Sequence, residues 1–182
     1  MSSPTVVVVS SSLSQHSRSR IMTRYAVESL VTQDIDAQLL DLAPLEIGSY
    51  PASAHAPGLL AATQQFNAAH GWVLASPIYN FGASAVLLNF LHYALDSDFG
   101  RWKPFVLLAS MGGQRSALAL DHIARTLIYE VGAVQVGPTL SNIGDTGVNR
   151  ATGEMSLELR QRMDVHLAVL SHYVRTRAAM TG

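Results

Sequence analysis

Short runs of β-branched and apolar residues alternate along this chain with longer segments of helical period, and no other feature limits its fold as strongly. Strands separated by helix-length segments pair in parallel, because each crossover returns the chain to the same end of the sheet. Five strands are predicted. Residues 5–9, 72–75 and 105–109 are continuous apolar runs, as in strands buried on both faces, and belong at the centre. Residues 35–42, interrupted by Asp36, Gln38 and Asp41, and the short, half-polar 133–136 belong at the edges. Helices are predicted over 19–32, 58–70, 84–95, 116–131 and 156–177, and the stretch 137–153, rich in Gly, Asn, Asp and Thr, reads as a long surface loop. Five βα units joined by right-handed crossovers make an open, doubly wound α/β sheet of order 2-1-3-4-5 with helices on both faces. At 182 residues the expectation is a single domain over 1–182.

That order gives function an address. The winding reverses between the first and third strands, so a crevice opens beyond their C-terminal ends, lined by the loops after Val9, Ala75 and Ala109. The first loop, residues 10–20, holds Ser10, Ser11, Ser12, Ser14, Ser17 and Ser19 with Arg18 and Arg20, and leads into a helix. A phosphate there would meet hydroxyls, free backbone N–H groups, the positive end of the helix dipole and a guanidinium. With no glycine, the loop is neither a dinucleotide fingerprint nor a P-loop. The same serines also read as ordinary caps and turn residues. The second loop, Ser76-Pro77-Ile78-Tyr79-Asn80-Phe81-Gly82-Ala83-Ser84, offers aromatic and amide groups to a planar ligand, or equally a tight turn with Ser84 as helix cap. The third, Ser110-Met111-Gly112-Gly113-Gln114-Arg115-Ser116, permits positive φ and a close backbone approach at its paired glycines, and also makes a plain βα turn. Taken together, a phosphate grip on one side and aromatic and glycine edges on the other match a mononucleotide carrying a flat ring system.

Composition removes competing chemistries. Without cysteine there is no disulfide, thiol nucleophile, zinc-thiolate site or iron–sulfur cluster, so redox chemistry must come from a bound cofactor. The seven histidines form no H-x-x-x-H pair, and no metal site is expected. Ser110 lacks the G-x-S-x-G spacing of a hydrolase elbow. Twelve basic against thirteen acidic residues make no field for nucleic acid or an anionic membrane. The chain opens Met1-Ser2-Ser3-Pro4 and enters a strand at once, with no signal-peptide pattern and no apolar run of membrane-spanning length, so a cytoplasmic protein is expected. Only 14% of residues are charged, against the usual quarter, which points to surface buried in a homo-oligomer. Asp121 and His122 interrupt the apolar pattern of Leu118, Leu120, Ile123, Leu127 and Ile128; they read either as a solvent-facing pair or as a polar feature at a subunit interface.

The three loops resemble those of the NAD(P)H-dependent FMN reductases, whose fold is flavodoxin-like. Ser11-Ser12-Leu13-Ser14-Gln15-His16-Ser17 is similar to their G-S-x-R-x-x-S, Ser76-Pro77-Ile78-Tyr79-Asn80 to their T/S-P-x-Y-N, and Gly112-Gly113 to the pair after their fourth strand. Ser11 replaces the usual glycine and Ser14 the usual arginine, which weakens the charge at the phosphate, so that either Arg18 compensates or FMN binds loosely. The resemblance implies FMN as cofactor and NADPH or NADH as hydride donor, docking transiently over the flavin. It implies that Ser12, Ser14, Ser17, Arg18 and Ser19 hold the phosphate, that Pro77, Ile78, Tyr79 and Asn80 line the ring, and that Gly112, Gly113 and Gln114 approach its pyrimidine edge. No acid–base side chain is required, because the flavin itself takes the hydride. Residues 118–124 look most like the reductases that feed reduced flavin to alkanesulfonate monooxygenases. In those an inserted residue makes a π-bulge at a tetramer interface, here at His122. A quinone or azo-compound reductase that retains FMN, and a non-enzymatic flavin-binding protein, remain as alternatives.

Overall fold

β1 (Thr5–Ser10) carries four valines in succession, and neighbouring side chains of a strand point to opposite faces, so it needs apolar cover on both. It has that cover: Val7 and Val9 join one buried cluster, Val6 and Val8 another. Burying each such side chain contributes roughly 1.5–3 kcal/mol. A computed structural model describes residues 3–52, 58–95, 100–113 and 118–181. In it β1 lies between β2 (Asp36–Asp41) and β3 (Gly71–Pro77), and β3 pairs with β4 (Pro104–Met111), all in parallel. The strand order β2-β1-β3-β4-β5 is the expected 2-1-3-4-5. Helices α1 (Arg18–Val31) and α5 (Leu157–Thr181) cover one face through Met22, Ala26, Leu30, Met163 and Leu167. Helices α2 (Leu59–Ala68), α3 (Ala85–Ala94) and α4 (Asp121–Val131) cover the other through Phe66, Leu87, Phe90 and Leu127. Among the described residues no helix is long and apolar enough to cross a membrane.

Two expectations are corrected. The fifth strand position is filled by two short strands on the same edge of β4: β5 (Val134–Gln135) pairs with Pro104 and Phe105, and β6 (Leu140–Ile143) with Leu108 to Met111. Part of the predicted surface loop is therefore sheet. The period was hidden because Asn142 occupies a core-facing position and is buried beside Leu140. The fourth helix starts at Asp121 rather than at 116; Leu118 to Leu120 form a turn, and residues 114–117, Gln114 among them, lie outside the described residues. Asp121 and His122 thus stand in the first turn of α4, where the Asp121 carboxylate complements the helix dipole and His122 is exposed. The described helix is regular α with no π turn at His122.

At the opposite end of the sheet from the strand C-termini, the Lys103 ammonium is buried, donates to the Asn67 carbonyl at the end of α2, and lies 5.1 Å from the Trp72 ring centre. Burial, with Arg177 nearby, lowers its pKa from 10.5 to about 8. Between those values the unfolded chain binds the proton that the folded chain has lost, so folding stability rises with pH across this window, by at most about 3 kcal/mol. Denaturant midpoints should therefore increase from pH 7.5 to 9.5, and Lys103→Met should remove the increase. A flat profile in the parent protein would mean that Lys103 keeps its ordinary pKa when folded.

Candidate functional site

The three loops leave the sheet at one level. Ser10 pairs with Ala75, Ser76 with Ala109 and Pro77 with Ser110, so the ends of β1, β3 and β4 are aligned. Beyond them lies a crevice of about 270 Å³, near the lower bound of ligand pockets. It is lined from the first loop by Ser14, Ser17 and Arg18, from the second by Pro77, Ile78 and Tyr79, and from the third by Ser110, Met111 and Gly112, with Arg150 added from the segment after β6.

The first loop is built from its own serines. Ser11 Oγ donates to the Ala75 carbonyl at 2.8 Å, fastening the loop to β3. Ser12 is fully buried and its Oγ accepts from the Ser14 N–H at 3.2 Å. Ser17 and Ser19 share a hydrogen bond between hydroxyls at 2.7 Å. Ser17 is the N-cap of α1, yet its side chain caps no backbone N–H, so the positive end of the helix lacks its customary hydroxyl partner. Arg20 is not a ligand group. It is buried, grips Asp41 through both terminal nitrogens at 2.5 and 3.1 Å, and donates to the Ser12 carbonyl at 2.8 Å, which makes it the anchor of the loop. Arg18 faces the crevice and donates from Nε and Nη2 to Asp145 Oδ1. That hydrogen bond, and the Arg18 charge, hold the Asp145 carboxyl below the ordinary carboxylate range.

The second loop is a tight turn that ends in a helix cap. Ser84 caps α3 by accepting from the Leu87 N–H at 3.3 Å, and Ser76 Oγ accepts from the Ser84 N–H at 2.9 Å. Tyr79 and Gly82 exchange backbone hydrogen bonds at 3.0 and 2.9 Å around a two-residue turn in which Asn80 and Phe81 both take positive φ, 48° and 67°. Asn tolerates that region; Phe does so at a strain. Tyr79 and Phe81 are mostly exposed and do not cover the core. In the third loop neither Gly112 nor Gly113 has positive φ, and a Cβ on either would meet none of the described residues within 4 Å. The packing of the described residues does not require glycine there. The space left open by Gly112 belongs to the crevice.

Sequence reasoning did not single out Arg150. It sits in a tight hairpin pinned by an antiparallel bridge between buried Val148 and Met155, with Asn149 Oδ1 accepting from the Ala151 and Thr152 N–H groups. Only the placement of β6 beside the end of β4 brings that hairpin to the crevice. Asn80, Gly113, Ser12 and Ser19 belong to the same loops but are not among the walls of the crevice. Among the described residues no group of three or more His, Cys, Asp or Glu could hold a metal ion.

A 2-1-3-4-5 parallel sheet with its crevice at the β1/β3 switch point defines a flavodoxin-like protein, the class whose fold places a flavin mononucleotide at that point. An oxidoreductase from Corynebacterium diphtheriae has the same fold, with TM-score 0.76, 21% identity, and coverage of 97% of this chain and 99% of the other. So has an NADH:FMN oxidoreductase in its apo form, with TM-score 0.76, 19% identity, and coverage of 96% and 90%. An FMN-dependent NADPH-azoreductase of Staphylococcus aureus is 27% identical over 124 residues, 64% of this chain and 65% of the relative, so the match spans just under two-thirds of that relative's length. Residues 4–147 match the profile of the family described as NADPH-dependent FMN reductase, and the chain belongs to that family.

Proposed function

We propose that the crevice holds FMN and that this chain is an NAD(P)H:FMN oxidoreductase, taking a hydride from NADPH or NADH and passing reduced flavin to a partner monooxygenase in the cytoplasm. The observation that carries the reading is the meeting of all three loops on one crevice, between an uncapped helix N-terminus and a glycine whose missing side chain leaves the space open. FMN fits this donor set: a dianionic phosphate suits the α1 terminus with Ser14, Ser17 and Arg18, and a flat ring suits the wall of Pro77, Ile78, Tyr79 and Gly112. Ser12 and Ser19 act by shaping the loop through their hydroxyls, and Asn80 and Gly113 border the ring. When bound, the flavin supplies hydride acceptance and electron release; the side chains bind, orient and exclude water. The exposed apolar residues Leu118, Ile128 and Tyr129 on and beside α4 support a homo-oligomer, dimer or tetramer, testable by light scattering.

The test is an anaerobic titration of FMN-loaded protein with NADPH, followed by absorbance. Stoichiometric bleaching of the oxidised flavin band is expected. Binding without bleaching would leave a flavin carrier, and no binding would remove the site. The azoreductase relative favours one further reading, in which FMN is retained and reduces an acceptor in place. Flavin that stays with the protein through gel filtration would select it.

A further inference from the structure

Arg18 and Arg150 are the two cations lining the described crevice, and Arg18 is already engaged. Its Nε and Nη2 donate to Asp145 Oδ1 at 2.9 and 2.6 Å. Asp145 stands in the turn directly after β6, and that turn is fastened to the sheet: the Gly144 N–H donates to the Met111 carbonyl at 2.7 Å, Thr146 Oγ1 to the Ile143 carbonyl at 2.6 Å, and Asn142 Nδ2 to the Gly144 carbonyl at 3.2 Å. The bridge therefore ties the start of α1 to the end of β4, two walls of the same crevice. A phosphate monoester brings between one and two negative charges to that place. While Asp145 holds Arg18, the ligand meets a neutralised guanidinium and a carboxylate of its own sign.

Resting on the reading of this crevice as the FMN phosphate site, we infer that Asp145 competes with the flavin phosphate for Arg18 and thereby keeps FMN affinity low and exchange easy. The pair suits that role. Asp145's side chain is 66% exposed, and an exposed ion pair is held weakly enough for a dianion to displace it. As an exposed carboxylate the competitor is ionised at neutral pH, and the Arg18 hydrogen bond favours that form further. An unengaged Arg18 would instead favour retention. Asp145 is thus a determinant of release against retention that lies outside the loops recognisable in the sequence.

Flavin-fluorescence titrations with FMN and with riboflavin, which lacks the phosphate, test this on the parent protein, Asp145→Asn, Arg18→Gln and the double variant. Asp145→Asn should bind FMN roughly three- to tenfold more tightly, with a steeper salt dependence and unchanged riboflavin affinity. Arg18→Gln should weaken FMN, and the Asp145 effect should vanish in the double variant. Weaker FMN binding by Asp145→Asn would make Asp145 an aid to Arg18 and overturn the inference. So would unaltered FMN affinity, an equal gain for riboflavin, or a gain that survives the loss of Arg18. If neither flavin binds any of the four proteins, the crevice reading itself falls and the inference with it.

Discussion

Gly112→Leu should lose FMN binding by about 100-fold while the protein melts within a few degrees of the parent. The expectation follows from a contrast at one position. Gly112 has no positive φ, and a Cβ would touch no atom of the described residues within 4 Å, so their packing accepts a side chain there. Yet Gly112 lines the crevice, so an isobutyl group would stand where the proposed ring must lie. Forcing extra carbons into a filled site costs on the order of 1–3 kcal/mol, and the upper part of that range corresponds to the stated loss. Gly112→Ala should give a smaller loss in the same direction. Titration of Gly112→Leu with FMN, beside its thermal unfolding, checks both halves; parent-like FMN affinity would show that the flavin does not use this wall.

The second large effect is on stability. Arg20→Met should destabilise the fold by about 2–4 kcal/mol and weaken FMN binding as a consequence. Arg20 is 5% exposed and serves three acceptors, the two Asp41 oxygens and the Ser12 carbonyl. Removing the guanidinium takes the ion-pair partner from the half-buried Asp41 carboxylate, which keeps only the Ala43 N–H, and a donor from the Ser12 carbonyl, and poorly paired buried acceptors are costly. The loop that carries Ser12, Ser14 and Ser17 loses its anchor at the same time. Urea unfolding measures the first effect and FMN titration the second. A variant as stable as the parent would show that Asp41 and Ser12 find water instead.

Arg20 also shows where reading the sequence stops. Arg18 and Arg20 both sit near the first loop and are equally able to bind phosphate on paper. In the structure one lines the crevice and the other is buried against Asp41 on the edge strand. Nothing local separates them, because the pairing depends on β2 lying beside β1. Arg150 was invisible for the same reason, since it reaches the crevice only through β6, whose buried Asn142 breaks the apolar period.

What the sequence determined by itself is the frame: four consecutive valines and two other apolar runs demand a central parallel sheet with both faces covered, and the crossovers set strand order and hence the crevice. These are consequences of solvent and chain geometry, legible from residue type and period alone. Only the tertiary structure decided which charges face that crevice and which are neutralised beside it. An ion pair such as Arg18–Asp145 joins residues 127 positions apart, and its existence is a matter of register and packing that no local pattern encodes.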